Sequence, residues 1–253
     1  MYNLAHISKT GMQATQIRLD VISNNMVNVQ STGYKKLENS FVDTYTETLD
    51  KRPYPNNRED NVSGTGVKTT EAVRRYNQGS IRQTGIDTNL AIDGSGFFAV
   101  TTTGGQTAYT RNGEFKLDAN GRLVDDVGNL LQVTYDDGTL PQDANLSNGD
   151  LSIGKNGEIV FNGEKIGKIN LYEPQGTNDL ISSGDSLFVT KEGAIMNIVE
   201  DSKIYQGHIE MSNVKMEEEM TNLILAQRAF QFNAKGLKAA DEMWSIANNL
   251  QSR

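Results

Sequence analysis

Cysteine is absent from this 253-residue chain, proline occurs four times, tryptophan once and histidine twice. Without cysteine there is no disulfide framework and no thiolate zinc site. With His6 and His208 alone, an imidazole-based metal centre is not expected, and no cofactor is called for. Nowhere does the chain approach the ~20 apolar residues of a membrane span, and the opening MYNLAHISKTGMQATQIRLD lacks the apolar stretch of a signal peptide. By the usual routes the chain reads as soluble, cytoplasmic and not membrane-inserted. Its 36% hydrophobic content and mean hydropathy of −0.52 are low for a compact enzyme of this length, yet too apolar for wholesale disorder. The length suits one large domain or two small ones. A net charge of −8 repels nucleic acid and anionic membrane alike.

What is present is unevenly spread. Residues 1–36 and 211–253 contain no proline and only Gly11, Gly33 and Gly236 of the 24 glycines. The first end carries Lys9, Arg18, Lys35 and Lys36 against Asp20, and the last end balances its acids and bases, so the acidic excess lies between them. Two helix-permissive ends flank an acidic, turn-rich centre.

The first end predicts a helix from about Leu4 to Asn28. Met12, Leu19, Ile22, Met26 and Val29 share one stripe, and Leu4, Ile7, Ala14, Ile17 and Val21 another. Ser31-Thr32-Gly33 is expected to end it, with glycine as the left-handed cap. The last end predicts a helix from about Val214 to Leu250, capped by Ser212 or Asn213, with Glu217, Glu218 and Glu219 set favourably against the helix dipole. Met216, Met220, Leu223, Phe230, Ala234, Leu237 and Trp244 form one apolar stripe of this helix. Leu225, Phe232, Ala239, Met243, Ile246 and Leu250 form a second. A helix apolar on two faces has more than one partner.

The centre predicts β-structure. Asn112-Gly113, Asn120-Gly121, Asn156-Gly157 and Asn162-Gly163 are type I′ hairpin signals between short alternating runs such as Glu158-Ile159-Val160-Phe161. Asp93-Gly94, Asp137-Gly138 and Asn148-Gly149 add turns, and Asp50–Gly66, with Pro53 and Pro55, reads as an exposed loop or linker. The fold class is therefore α+β. Periodicity leaves two placements of the ends open. They pair within one chain as an antiparallel hairpin, or they stay frayed until other copies cover them.

The run Ser23-Asn24-Asn25-Met26-Val27-Asn28-Val29-Gln30-Ser31-Thr32-Gly33-Tyr34-Lys35 resembles the amino-terminal signature of flagellar rod and hook proteins, approximately A-N-N-L-A-N-V-N-T-x-G-Y/F-K. Leu90-Ala91-Ile92-Asp93-Gly94-Ser95-Gly96-Phe97-Phe98, Tyr109-Thr110-Arg111-Asn112-Gly113, Asp118, Asn120-Gly121 and Leu123-Val124 are similar to the family's centre. Gln206-Gly207, Ser212-Asn213-Val214, Glu218-Glu219-Met220, Gln227-Arg228-Ala229-Phe230, Asn233, Lys235, Asp241 and Met243 follow in the family's order. The resemblance spans nearly the whole chain. Val27 stands where alanine is usual and Phe230 where tyrosine is common, while Phe232 and Gly236 are unusual for the family.

The resemblance implies a structural subunit, not an enzyme, in the basal body of the bacterial flagellum. Length and Gly64-Thr65-Gly66-Val67 are most similar to the members that build the distal rod; proximal rod or hook is the alternative. It implies four parts: an amino-terminal helix of an inner polymerisation domain (1–36), an extended intermediate region (37–85), a β-rich outer domain (86–205), and a carboxy-terminal helix of the inner domain (206–253). The terminal helices would pair in coiled-coil fashion. Implied partners are further copies in a helical homopolymer, adjacent proximal rod and hook-type proteins, the flagellar type III export apparatus, which uses no cleaved signal peptide, and surrounding ring proteins. The assembly residues it points to are Leu19, Ile22, Asn24, Asn25, Met26, Asn28, Val29 and Gly33 in the first end, and Met220, Leu223, Gln227, Arg228, Phe230, Asn233, Leu237 and Met243 in the last.

Other motifs carry less. Gly94-Ser95-Gly96-Phe97-Phe98-Ala99 fits a dinucleotide pattern, but that chemistry needs a helix to start there, and Val100-Thr101-Thr102-Thr103-Gly104-Gly105 reads as strand and turn. Asp118-x-Asn120-Gly121 and Asp125-Asp126 lack calcium-loop spacing. Neither His208 nor the acidic pairs Asp125-Asp126 and Asp136-Asp137 come with a nucleophile or an orienting partner. From other classes, a secreted β-rich hydrolase and a monomeric binding module with internally packed end helices remain as rivals.

Overall fold

Both amphipathic ends are helical, α1 over Tyr2–Val27 and α2 over Met216–Gln251. The computed structural model describes residues 2–44, 46–48, 62–64, 66–135, 151–176, 179–184 and 186–251. The chain divides into a helical unit (Met1–Val27, Leu37–Arg75, Lys215–Arg253) and a β unit (Asn28–Lys36, Tyr76–Val214).

In the helical unit α1 and α2 run antiparallel in one register: Ser8 lies against Gly236, Gly11 against Asn233, and Asn25 reaches Glu219. Apart from Ile22, the buried side chains along the pair are small or polar: Ser8, Ala14, Thr15 and Asn25 on α1, with Glu219, Ala226 and Ala240 on α2. A Cβ at Gly236 would sit 2.9 Å from Ser8 Oγ, and one at Gly11 2.8 Å from Asn233 Nδ2. Gly236, costly by helix propensity alone, thus serves a close approach of backbones. Neither proposed cap closes α2. Its first turn starts on the Lys215 carbonyl, which accepts from Glu219 N, while Ser212 Oγ accepts from Val214 N.

The segment after Leu37 is a two-stranded antiparallel ribbon. Leu37–Glu38 pairs Val73–Arg74, Phe41–Asp43 pairs Val67–Thr69, and Thr46–Thr48 pairs Val62–Gly64. Of the expected loop Asp50–Gly66, residues 50–61 and 65 lie outside the described residues, and Val62–Gly64 is strand rather than loop. The ribbon is tied to α1 where Val67 N donates to Thr10 Oγ1 at 3.4 Å and where the Arg18 guanidinium stacks over Phe41.

The β unit centres on Phe97–Thr101, which pairs Thr107–Thr110, Leu130–Leu131 and Leu171–Pro174 in one antiparallel sheet. Its side chains alternate between two clusters. Phe98 and Val100 join Leu90, Ile92, Phe115, Ile159, Ile169 and Ile204, while Phe97 joins Phe188 and Leu180. Being covered on both faces, this strand reads as a continuous apolar run. A smaller sheet is ordered Thr134–Tyr135, Glu164–Lys168, Glu158–Phe161, Leu151–Ile153.

The four Asn-Gly pairs take different conformations. Asn162-Gly163 alone among them has φ positive at both residues (52° and 89°) and forms the two-residue hairpin between Glu158–Phe161 and Glu164–Lys168. At Asn120-Gly121 and Asn156-Gly157 only the glycine is left-handed, closing a longer turn. Asn112-Gly113 is no hairpin: Asn112 Oδ1 accepts from Glu114 N, and a Cβ on Gly113 would lie 1.6 Å from the Leu90 carbonyl oxygen. Asp136-Asp137, Asp137-Gly138 and Asn148-Gly149 fall outside the described residues.

Candidate assembly interface

The second apolar stripe of α2 is uncovered. Leu225, Phe232, Met243, Ile246 and Leu250 are 59, 71, 41, 60 and 73% exposed. Leu225, Phe232, Ala239 and Ile246 recur every seven residues, with Met243 and Leu250 at the intervening position of the last repeats, which is the spacing of a coiled-coil seam. The first stripe is covered in part. Leu223, Phe230 and Ala234 are half-buried, whereas Met220, Leu237 and Trp244 stay exposed, the last two with Ala5 and Ala234 lining a groove. The helices therefore find a partner within the chain, the first of the two placements that periodicity leaves open. The partnering rests on small residues and leaves the large apolar ones outside.

The residues expected at an assembly surface divide accordingly. Ile22 is buried and Leu19, Met26, Leu223, Phe230 and Asn233 half-buried in the helical unit. Asn24, Met220, Gln227, Arg228, Leu237 and Met243 are exposed. Asn25 clamps the backbone of Leu37, donating Nδ2–H to its carbonyl at 2.8 Å and accepting its N–H at Oδ1 at 2.9 Å. Asn28, Val29 and Gly33 belong to the β unit. α1 ends at Val27, before Ser31, so Gly33 is not its cap. Gly33 is left-handed (φ 67°), and a Cβ there would lie 2.3 Å from Asn112 N. Val27, substituted relative to the family pattern, is 81% exposed.

A cluster that no sequence signal marked lies inside the β unit. Lys35 Nζ donates to Glu210 Oε1 at 2.7 Å and to the Asn77 carbonyl at 2.9 Å. Arg111 donates through Nη1 to Glu210 Oε2 at 2.9 Å and through Nη2 to the Gly94 carbonyl at 2.8 Å. Gly79 N donates to Glu210 Oε1, and the three charged side chains are 1–3% exposed. Two cations share one carboxylate. Burial pulls the Lys35 ammonium below the usual lysine range, against the pull of Glu210 and helped by Arg111, and lowers Arg111 likewise. Lys35 and Arg111 stand within the signature motifs, but their shared acid lies 175 and 99 residues away.

The remaining motifs have local uses. Gly94-Ser95-Gly96 turns between two strands, Leu90–Asp93 and Phe97–Thr101, with no helix to present amides to a phosphate. Asp125 Oδ1 accepts from Val127 N and Asn129 N, and His208 Nδ1 lies 2.7 Å from the Gln206 carbonyl oxygen. Among the described residues no group of three His, Asp or Glu side chains could hold a metal ion, and no helix is long and apolar enough to cross a membrane.

Comparison with known proteins agrees with this layout along the chain. Residues 7–35 match the flagella basal body rod protein family, residues 91–161 the flagellar hook protein FlgE/F/G D1 domain, and residues 205–250 the flagellar basal body rod FlgEFG protein C-terminal family. Over 96% of each chain the sequence is 33% identical to the flagellar basal-body rod protein FlgG of Borreliella burgdorferi. The chain belongs to the flagellar basal-body rod proteins. It is also 33% identical to FlgG of Buchnera aphidicola subsp. Schizaphis graminum, over 94% of this chain and 95% of the relative, and 31% identical to FlgF of Caulobacter vibrioides, over 96% and 95%. As a family member it is a structural rod subunit, and its place is the flagellar basal body.

Proposed function

We propose that the chain builds the distal part of the rod, and that the exposed seven-residue seam of α2 is covered there by helices of neighbouring copies. The seam carries this reading: five large apolar side chains in heptad order, left in solvent by a helix whose pairing with α1 is already made. A contact between unlike surfaces grows as an open helix wherever its rotation does not close into a ring. Knobs-into-holes packing along the seam would make the coiled-coil-like inner wall of a hollow shaft that transmits torque from motor to hook. The β unit would form the outer layer, facing surrounding rings. Proximal rod and hook-type proteins would adjoin the two ends of the polymer, and the export apparatus would deliver each chain without a cleaved signal. The similarity to FlgG relatives supports distal over proximal rod. This role asks for no catalysis and no cofactor.

The test is Phe232→Asp combined with Ile246→Asp in a strain lacking the native copy. The purified subunit should keep its helix content and melting temperature, while hook–basal bodies are missing or stop short of the distal rod. Normal rods from this variant would refute the seam as the polymer contact.

A further inference from the structure

The chain passes between the helical and β units four times, at 27/28, 36/37, 75/76 and 214/215. Three of these passages leave the β unit within two residues of a polar group in one hydrogen-bonded network. Beside the first of the three, Lys35 reaches Glu210 and the Asn77 carbonyl, and Lys36 N donates to Asn213 Oδ1 at 2.7 Å. Beside the second, the Asn77 carbonyl also accepts from Asn213 Nδ2 at 2.9 Å, and Gly79 N donates to Glu210 Oε1. Beside the third, the backbone around Glu210 is bonded to both others: Gly33 N donates to the Glu210 carbonyl and Met211 N to the Ser80 carbonyl. Gly79 has no room for a side chain, since a Cβ would lie 1.9 Å from the Met211 carbonyl oxygen.

We propose that Lys35, Asn77, Glu210 and Asn213 form a mechanical clasp within the β unit, which shares load arriving along any one of three chain passages among all three. Lys35 is the positioning residue. Arg111 already matches the Glu210 carboxylate one to one, so a second buried cation adds little to the pair and holds the segment Asn28–Lys36 in place. The clasp gives the proposed torque path a reason to bury this lysine. It does not depend on the α2 seam, because it is a property of a single chain.

The chain has no cysteine, so two introduced ones give unique handles. Gln30→Cys and Glu192→Cys are both exposed positions of the β unit, suited to pulling the full-length protein in an optical trap. With Lys35 intact, the segment and the sheet should give way in one event. With Lys35→Met, an earlier, weaker event should appear, releasing up to about 25 Å, the length of seven extended residues. The control Lys116→Met, which removes a surface pair with Asp126, should behave as the parent does. Lys35→Met should also melt within a few degrees of the parent, because the Glu210–Arg111 pair survives. A one-event trace from Lys35→Met would overturn the clasp and leave the rod reading intact. So would a collapse of its melting temperature as large as that of Glu210→Gln, since Lys35 would then be an ordinary stabilising residue.

Discussion

The β unit and the helical unit put the same kinds of side chain to opposite use. In the β unit, Phe98, Phe115 and Phe188 are sealed within two clusters, and even charge is taken inside, with Glu210 shared by Lys35 and Arg111. In the helical unit the sealed residues, Ile22 apart, are small or polar, such as Ala14, Asn25, Ala226 and Ala240, while Phe232, Ile246 and Leu250 face solvent. A hydrophobic core needs large groups inside, and a helix pair can instead close on small groups that bring the backbones together. The first arrangement is complete within one chain. The second keeps its largest apolar area for something outside it, which fits a family of rod subunits.

The contrast breaks most readily in the β unit. Phe98→Ala and Glu210→Gln should each cost about 3–5 kcal/mol, the first by leaving a cavity and the second by leaving two buried cations without their carboxylate. Chemical denaturation of the purified subunit measures both. In the helical unit the costliest site should be polar. Asn25→Ala strands the Leu37 N–H and C=O and should cost about 1–3 kcal/mol, read as faster amide exchange along the ribbon and the end of α1. A smaller effect is expected with pH. Lys35 has its folded-state proton affinity lowered, so between that lowered value and the ordinary 10.5 the unfolded chain holds more protons, and this group adds stability as pH rises through the interval. Denaturation midpoints of the parent should therefore gain on those of Lys35→Met across that interval. Above about pH 10 the partly buried Tyr109 and Tyr135, whose phenols are raised by burial, act in the opposite direction. Smallest of all should be Phe232→Ala, within about 0.5 kcal/mol for the isolated subunit, although Phe232 is among the largest side chains of the helical unit.

The two halves also differ in how far they can be read from sequence. Apolar spacing places both helices to within two residues of their observed ends, because a 3.6-residue period over seven or more turns is a strong signal. It also separates the two stripes of α2, since Leu225, Phe232 and Ile246 are as regular in sequence as in space. Which stripe stays bare is not legible there. The answer depends on Gly11, Gly236 and Ser8, whose value lies in their small size at one register of an antiparallel pair. Turns are legible only as places where the chain reverses. Asn112-Gly113 and Asn162-Gly163 are the same dipeptide, but Gly113 is fixed by the nearby Leu90 carbonyl and Asn162-Gly163 by the twist of its flanking strands. The buried charges are the least legible. A lysine, an arginine and a glutamate far apart in sequence look like solvated surface until the fold brings both cations within 3 Å of the one carboxylate.

Whether the α2 seam is the surface hidden in the rod can be measured directly. Phe232→Cys supplies the chain's single thiol, and its reaction with a maleimide can be timed in the free subunit and in purified hook–basal bodies. Rapid labelling of the subunit with strong protection in the assembled rod is the result expected here. Equal labelling in both would mean that the greasy edge of α2 stays wet in the finished structure, and that the subunits hold together elsewhere.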